Sequence, residues 1–421
     1  MTASKFIVIP ILTCIFLLID WYVWQAVKVV FGNSTVLMQL AVKWVFWGIT
    51  FITLSGLWAY NFLSPDFLGV KVRTFILYTL FAGYAAKLFA VFFILIDDIS
   101  RLFQWSKEKV APRNDNGTGI LNESITRSDF LMKTALVAST IPAVALTWGI
   151  VSGAHDYRLR RVRLKLKNLP KSFEGMTIGQ ISDIHSGSFF NKTAVKGGIE
   201  MLLKEKPEMV FFTGDLVNDR ANEVRDFIDI FDKVKAPLGV FSTLGNHDYG
   251  DYLRFPSEQA RVQNMKDLKQ AHKVMGYNLL LDENRMIEMG GEKLAIIGVE
   301  NISGQVSRYQ NYGSLSKAVQ GTDEAAVKLL LSHDPTHWDM EVNSQYKDID
   351  VMFSGHTHGL QFGISVGGKT YSPAQCQYKQ WAGLYQSGEQ QLYVNRGFGY
   401  LGYPGRVGMP PEITIFELVR A

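Results

Sequence analysis

The sequence predicts an all-α membrane region of four transmembrane helices followed by an α/β domain. Three observations predict it. Four long apolar stretches with almost no charge occupy the N-terminal part. After Gly153 short apolar runs alternate with amphipathic ones. Carboxylate, imidazole and amide side chains recur just past the ends of those runs.

Each membrane element follows from charge spacing. From Phe6 to Val30 only Asp20 and Lys28 are charged; from Val36 to Phe62 only Lys43; from Thr74 to Ile96 only Lys87; from Thr134 to Gly153 nothing. Each stretch reaches the roughly 20 residues that carry a helix across a bilayer. Trp21, Trp24, Trp44, Trp47 and Trp58 lie toward the ends of the first two, as interfacial belts do. The first is no cleaved leader: no small-x-small site follows it and three more spans do. Pro142 in the fourth is tolerated by membrane helices. Lys43 and Lys87 are expected to snorkel to the nearer interface. Asp97 to Asp129, with "RNDNGTG" at Arg113–Gly119, reads as a polar connector. The expected boundary puts a membrane domain at residues 1–153 and an α/β domain at 154–421.

Composition agrees with a partly membrane-embedded chain of 421 residues, 47% hydrophobic and 13% aromatic. A net charge of +4 is too mild to imply nucleic acid. Two cysteines, Cys14 and Cys376, exclude a disulfide framework.

In the second part, "YRLRRVRLKLKNLP" ends in strand-like alternation. The runs "MTIGQIS", "MVFFTG", "LGVFSTLG", "LAIIGV", "VKLLLS" and "IDVMFSG" read as buried strands. "TAVKGGIEMLLKEKP" and "NEVRDFIDIFDKV" read as helices between them. Five strand ends carry chemistry: Asp183 and His185 in "DIH"; Asp215 in "GDLVN"; Asn246, His247 and Asp248 in "GNHD"; His333 in "HDP"; His356 and His358 in "GHTHG". Alone, "GHTHG" suits a metal site or a polar turn equally. Five such ends in register point to the crevice beyond the carboxyl edge of a sheet, where α/β folds bind ligands. Carboxylate, imidazole and one amide oxygen, without thiolate, suit Mn²⁺, Fe²⁺ or Zn²⁺. There are ligands enough for two ions, and an ion pair about 3.5–4 Å apart clamps the oxygens of an in-line displacement at phosphorus.

The ordered set D-x-H, G-D, G-N-H-D, H and G-H-x-H, over Met176 to Leu418, resembles the calcineurin-like metallophosphoesterases. "NRGFGYLGYPGRVGMPPEITIFEL" is similar to the ending of their YaeI/YkuE-type branch, and the four-span layout is similar to its eukaryotic membrane-anchored members. The resemblance implies a four-layer α/β/β/α sandwich and a phosphoesterase with two divalent metal ions. It implies Asp183, His185 and His358 on one metal, Asn246, His333 and His356 on the other, and Asp215 bridging. It implies His247 as general acid to the leaving oxygen, oriented by Asp248. Leu360 departs from the branch, which usually has glycine there. Beside this, Arg396 and Arg406 are candidate phosphate contacts, since guanidinium suits bidentate binding. Tyr252, Arg254 and Phe255, in "DYLRFPSEQARV", are candidates for a helix or cap over the site, and "YKQWAGLY" for an aromatic platform.

The expected function is a membrane-anchored phosphoesterase acting by metal-activated hydroxide on a phosphomonoester, phosphodiester or pyrophosphate, with lipid-linked substrates and membrane lipids as partners. A non-catalytic membrane binding or signalling protein on the same fold is the alternative; every expected ligand position being filled argues against it. A transporter is disfavoured by four spans without a repeat. Nine basic residues flank the spans on the side of the α/β domain and seven on the other, which favours a cytoplasmic domain.

Overall fold

The computed structural model describes residues 3–110, 127–305 and 308–421. Contacts divide the chain into two units, Met1–Trp148 and Gly149–Ala421.

The first unit is helical. α1 (Ala3–Phe31), α2 (Val36–Phe62), α3 (Pro65–Val110) and α4 (Arg127–Val151) each contain a stretch long and apolar enough to cross a membrane. Thr35 caps α2 by accepting from the Met38 amide. Gly69, in the left-handed region, breaks α3 near its start. The connector expected over Asp97–Asp129 is helical as far as Val110 and again from Arg127; Arg113–Gly119 lies outside the described residues. Lys87 does not snorkel. Its Nζ lies 2.5 Å from Oδ1 of Asp20, which is fully buried, and the Tyr84 hydroxyl donates to the other oxygen at 2.9 Å. An ion in a bundle of apolar helices is held by its counter-ion when one is within reach.

The second unit carries fourteen strands among its described residues. They are β1 (Arg158–Leu166), β2 (Thr177–Ile181), β3 (Met209–Phe212), β4 (Val240–Ser242), β5 (Asn278–Leu279), β6 (Glu283–Met289) and β7 (Glu292–Gly298). Then follow β8 (Val327–Leu331), β9 (Val351–Ser354), β10 (Ile364–Val366), β11 (Lys369–Tyr371), β12 (Gly383–Ser387), β13 (Gln390–Val394) and β14 (Glu412–Arg420). One mixed sheet runs β1-β14-β2-β3-β4-β5, another β12-β13-β9-β8-β7-β6, and β10-β11 form a hairpin.

The central strands are apolar on both faces, and their alternation builds the layers. Met209 and Phe211 of β3 join Leu329 and Leu331 of β8 in the core between the sheets. Val210 and Phe212 turn outward, toward Val195, Ile199 and Leu202 of the helix Lys192–Lys204. Leu330 turns outward on the other sheet, toward Leu315, Ala318 and Trp338. The result is a four-layer α/β/β/α sandwich, with short helical turns on the second sheet's outer side.

One expectation is corrected. "NEVRDFIDIFDKV" is not one α-helix: residues Ala221–Phe227 form a 3₁₀-helix, followed by a four-residue α-turn. Ala221, Val224, Phe227 and Ile230 recur every third residue and are buried, and three residues per turn put them on one side. The basic run of β1 is laced to acids of its own unit: Arg158 to Asp156, Arg160 to Glu412, Arg161 to Glu205 and Arg163 to Glu417. An edge strand dressed with charge resists pairing with other chains.

Candidate metal centre

The carboxyl ends of β2, β3, β4, β8 and β9 deliver the motif residues to one place. The chain must turn sharply there. Asp183, His185, Asp215, His356 and His358 all have positive φ, five of the nine non-glycine residues so disposed among the described residues. Such strain persists where the surrounding structure over-determines it, and it gathers at functional sites. Gly355 shows how close the packing is: a Cβ there would fall 2.0 Å from Ser182 Oγ and 2.1 Å from Asp183 Oδ2.

Asp215 occupies the centre. Its Oδ2 is 3.4 Å from His185 Nε2 and 3.2 Å from His333 Nε2, while Oδ1 accepts the His247 amide at 2.9 Å. On one side, ligand atoms of Asp183, His185 and His358 lie within 4.8 Å of one another; those of Asp183, Asp215 and His333 form a second such group. On the other side, His356 Nδ1 is 2.8 Å from Asn246 Oδ1 and 3.3 Å from His333 Nε2. His333 Nδ1 donates to the Thr213 carbonyl at 2.7 Å, which turns Nε2 inward.

The set fits divalent ions. His185 Nε2 and His358 Nε2 are buried without a hydrogen-bond partner, an arrangement that is costly unless something accepts the lone pair. Burial pushes the His185 imidazole down to about 3 and His356 down to about 4, so both stay neutral, as ligands must. Burial pushes Asp183 up to about 6. Burial would raise Asp215 too, yet the His333 and His247 rings hold it well below the carboxylate range.

Three of the expected roles are corrected. Asp248 does not orient His247. It is fully buried and accepts from the backbone amides of Asp215, Leu216, Val217 and Gly245, so it braces the loops that carry Asp215 and Asn246. His247 is held instead by the Asn218 carbonyl, 2.7 Å from Nδ1. Arg406 is 1% exposed and spends its guanidinium on the carbonyls of Gly399, Arg396 and Met409, with Nη2 3.1 Å from His358 Nδ1. Arg396 is paired with buried Glu412. Neither lines the cavity above the ligands.

That cavity, about 310 Å³, is floored by His185, Asp215, Asn246, His247, His356 and His358. Arg308, Tyr309, Gln377 and Tyr378 also line it, as do Leu360, Phe362, Leu401 and Tyr403. Arg308 and Tyr309 carried no motif that sequence reasoning could use. Asp334 did, as the second letter of "HDP". It is buried, its Oδ2 lies 3.5 Å from His356 Nε2, and the Tyr378 hydroxyl is 3.1 Å from the same nitrogen. A carboxylate behind a ligating histidine fixes its tautomer and orientation. Tyr252, 2.7 Å from Asn246 Nδ2 through its hydroxyl, packs its ring 4.6 Å from His247.

Comparison with family models matches residues 176–360 to "Calcineurin-like phosphoesterase" and residues 4–154 to "Probable Calcineurin-like phosphoesterase, transmembrane domain". The α/β unit belongs to the calcineurin-like phosphoesterase family. Similar calcineurin-like proteins include the "Transmembrane protein with metallophosphoesterase domain" of Danio rerio, 27% identical over 305 residues, 71% of this chain and 65% of that one. The "Uncharacterized metallophosphoesterase YkuE" of Bacillus subtilis is 29% identical, over 61% of this chain and 83% of its own length. The "Phosphodiesterase YaeI" of Escherichia coli is 22% identical, over 70% of this chain and all of its own length. The chain therefore spans just under two thirds of the fish relative. Together the two matched models make this chain a membrane-anchored, metallophosphoesterase-like protein.

Proposed function

We propose that the chain is a membrane-anchored phosphoesterase with two metal ions, hydrolysing an anionic phosphoester or pyrophosphate presented at a bilayer surface. One observation carries this reading: ligand atoms of Asp183, His185, Asp215, His333 and His358 cluster within 4.8 Å in two groups, with His185 Nε2 and His358 Nε2 unpartnered, at an open cavity that His247 also lines. Asp183, His185 and His358 would hold one divalent ion, Asn246, His333 and His356 the other, and Asp215 both. Such a pair supplies Lewis acidity and a hydroxide nucleophile at neutral pH.

The chain's own residues do the rest. A carbonyl only accepts, so His247 Nδ1 carries a proton toward Asn218 and Nε2 is the nitrogen that exchanges one with the substrate. In this reading His247, when its ring carries the second proton on Nε2, is the general acid for the leaving oxygen. Asp334 and Tyr378 hold the His356 ring, and Asp248 holds the two loops in register. The lipid reading is supported by the tether: α4 ends at Val151 and β1 begins at Arg158. A domain so close in sequence to a span meets mainly what the membrane surface presents. The positive-inside balance supports a cytoplasmic domain.

The test is turnover of a substrate panel, lipid pyrophosphates included, by the detergent-purified chain with Mn²⁺. Metal-dependent release of phosphate or a phosphomonoester is expected. Absence of turnover across mono-, di- and pyrophosphate esters, with metal bound, sinks the catalytic reading.

A further inference from the structure

The backbone that follows His358 is strained twice in succession. Leu360 (φ 47°, ψ 21°) and Gln361 (φ 61°) both sit in the left-handed region, which glycine adopts freely and a side chain with a Cβ does not. Gln361 is accounted for inside the fold. Its amide donates to the Tyr403 and Gly405 carbonyls at 2.7 and 2.8 Å and its oxygen accepts the Leu401 amide at 2.7 Å. Leu360 is held through its backbone alone, its amide donating to the Thr357 carbonyl at 2.8 Å. Its apolar side chain is 38% exposed, on the wall of the cavity that holds the ligands. Strain beneath a half-exposed apolar side chain that lines a pocket points to a ligand.

The wall continues outward. Phe362 is extended (φ −124°, ψ 132°) and lines the same cavity, with its ring 5.0 Å from Tyr403. β10 begins two residues later. Phe362, Ile364 and Val366 are alternate residues of this run, so they project to one face. Ile364 is 68% exposed and Val366 62%, and Tyr371, paired directly across from Ile364, is also exposed. The same cavity also has polar lining, from Arg308, Gln377 and Tyr378.

We propose that Leu360, Phe362 and Leu401, continued by Ile364, Val366 and Tyr371, form a lane for a hydrocarbon chain attached within a few atoms of the substrate's phosphorus. The lane rests on the phosphoesterase reading above and assigns that site its substrate class. Its occupant follows from continuity with the cavity: the candidate ligands fit an anionic phosphoryl group, and the apolar lining residues Leu360 and Phe362 run on in sequence into the exposed apolar side chains of β10. The polar part of the substrate lies against Arg308 and Gln377.

The test uses methyl, hexyl and dodecyl p-nitrophenyl phosphate with the purified full chain and Mn²⁺. In each, water replaces p-nitrophenolate at phosphorus and leaves the alkyl phosphate. A fully buried methylene is worth about fourfold in kcat/KM. The parent is expected to favour hexyl over methyl by at least about tenfold. Leu360→Gly should cut that ratio about fivefold or more while its unfolding midpoint stays level or rises, because glycine relieves the strain. A midpoint that falls by several degrees shows Leu360 to be a packing residue and overturns its part in the lane. Ile364→Ser, at an exposed position that leaves the core intact, should lower the dodecyl-to-hexyl ratio. Ratios unchanged in both variants overturn the lane with the phosphoesterase reading standing. Turnover of neither ester by the parent overturns the diesterase form of that reading, and the lane with it.

Discussion

Asp215 Oδ2 faces His185 and His333 at once, 3.4 and 3.2 Å away, so a change at this carboxylate reaches both halves of the centre. Asp215→Asn is expected to loosen both ions together, and metal content by mass spectrometry should fall toward zero; two retained equivalents would falsify the bridge. His247 makes a different prediction, because its ring is held by Asn218 and not by the metal-facing groups. His247→Ala should keep its metals and lose roughly 10²–10⁴ in turnover. The loss should shrink with a p-nitrophenyl leaving group, which departs without a proton. An equal loss on good and poor leaving groups assigns His247 to positioning alone. Tyr378 and Asp334 lie on the other ring nitrogen of His356, 3.1 and 3.5 Å away.

At the scale of elements, the site exists because strand ends stop abruptly. Each candidate ligand sits two to four residues past a strand, in a turn whose tightness Gly355 and the positive φ values record. The membrane unit has its own inter-element pin, Asp20 of α1 against Lys87 and Tyr84 of α3. Removing one partner leaves a buried charge alone, which costs about 3–5 kcal/mol, whereas replacing both is far milder. Asp20→Asn and Lys87→Met are therefore each expected to destabilise the unit strongly. The double variant should recover well above their sum. A double-mutant cycle on unfolding in detergent reads this directly. Additive losses would show that the pair is not a pin.

For the whole molecule, acid sensitivity has a source away from the ligands. His272 is fully buried, with Nδ1 3.0 Å from Ser242 Oγ and Nε2 unpartnered. Burial pushes its imidazole down to about 3. Unfolded, the ring takes a proton below about 6.5; folded, it does not, so the unfolded chain binds more protons between the two values. Its share of stability is intact above pH 6.5 and drains as the pH falls toward 3. Between pH 6.5 and 5 that share is about 2 kcal/mol. His272→Asn should flatten the pH dependence of the unfolding free energy by about that amount over this interval, and an unchanged slope refutes the assignment. Orientation is tested at the same scale. A reporter fused after Leu166 should be cytoplasmic, and a phosphatase reporter active outside the membrane there reverses the topology.

The sequence by itself determined the parts whose signal is local. Four spans are legible because a bilayer demands some twenty consecutive apolar residues. The buried strands are legible because both their faces are apolar. The candidate ligands are legible because metal chemistry restricts residue type, and strand ends restrict position. The tertiary structure decided what depends on distant neighbours. Arg406 faces carbonyls and not the cavity because Gly399 and Met409 fold over it. Asp248 braces four amides, three of them some thirty residues upstream. Arg308 and Leu360 became cavity walls only when separate segments met above the ligands. A side chain's type is written in the chain, but what it faces is set by packing, and packing is a property of pairs that no local pattern contains.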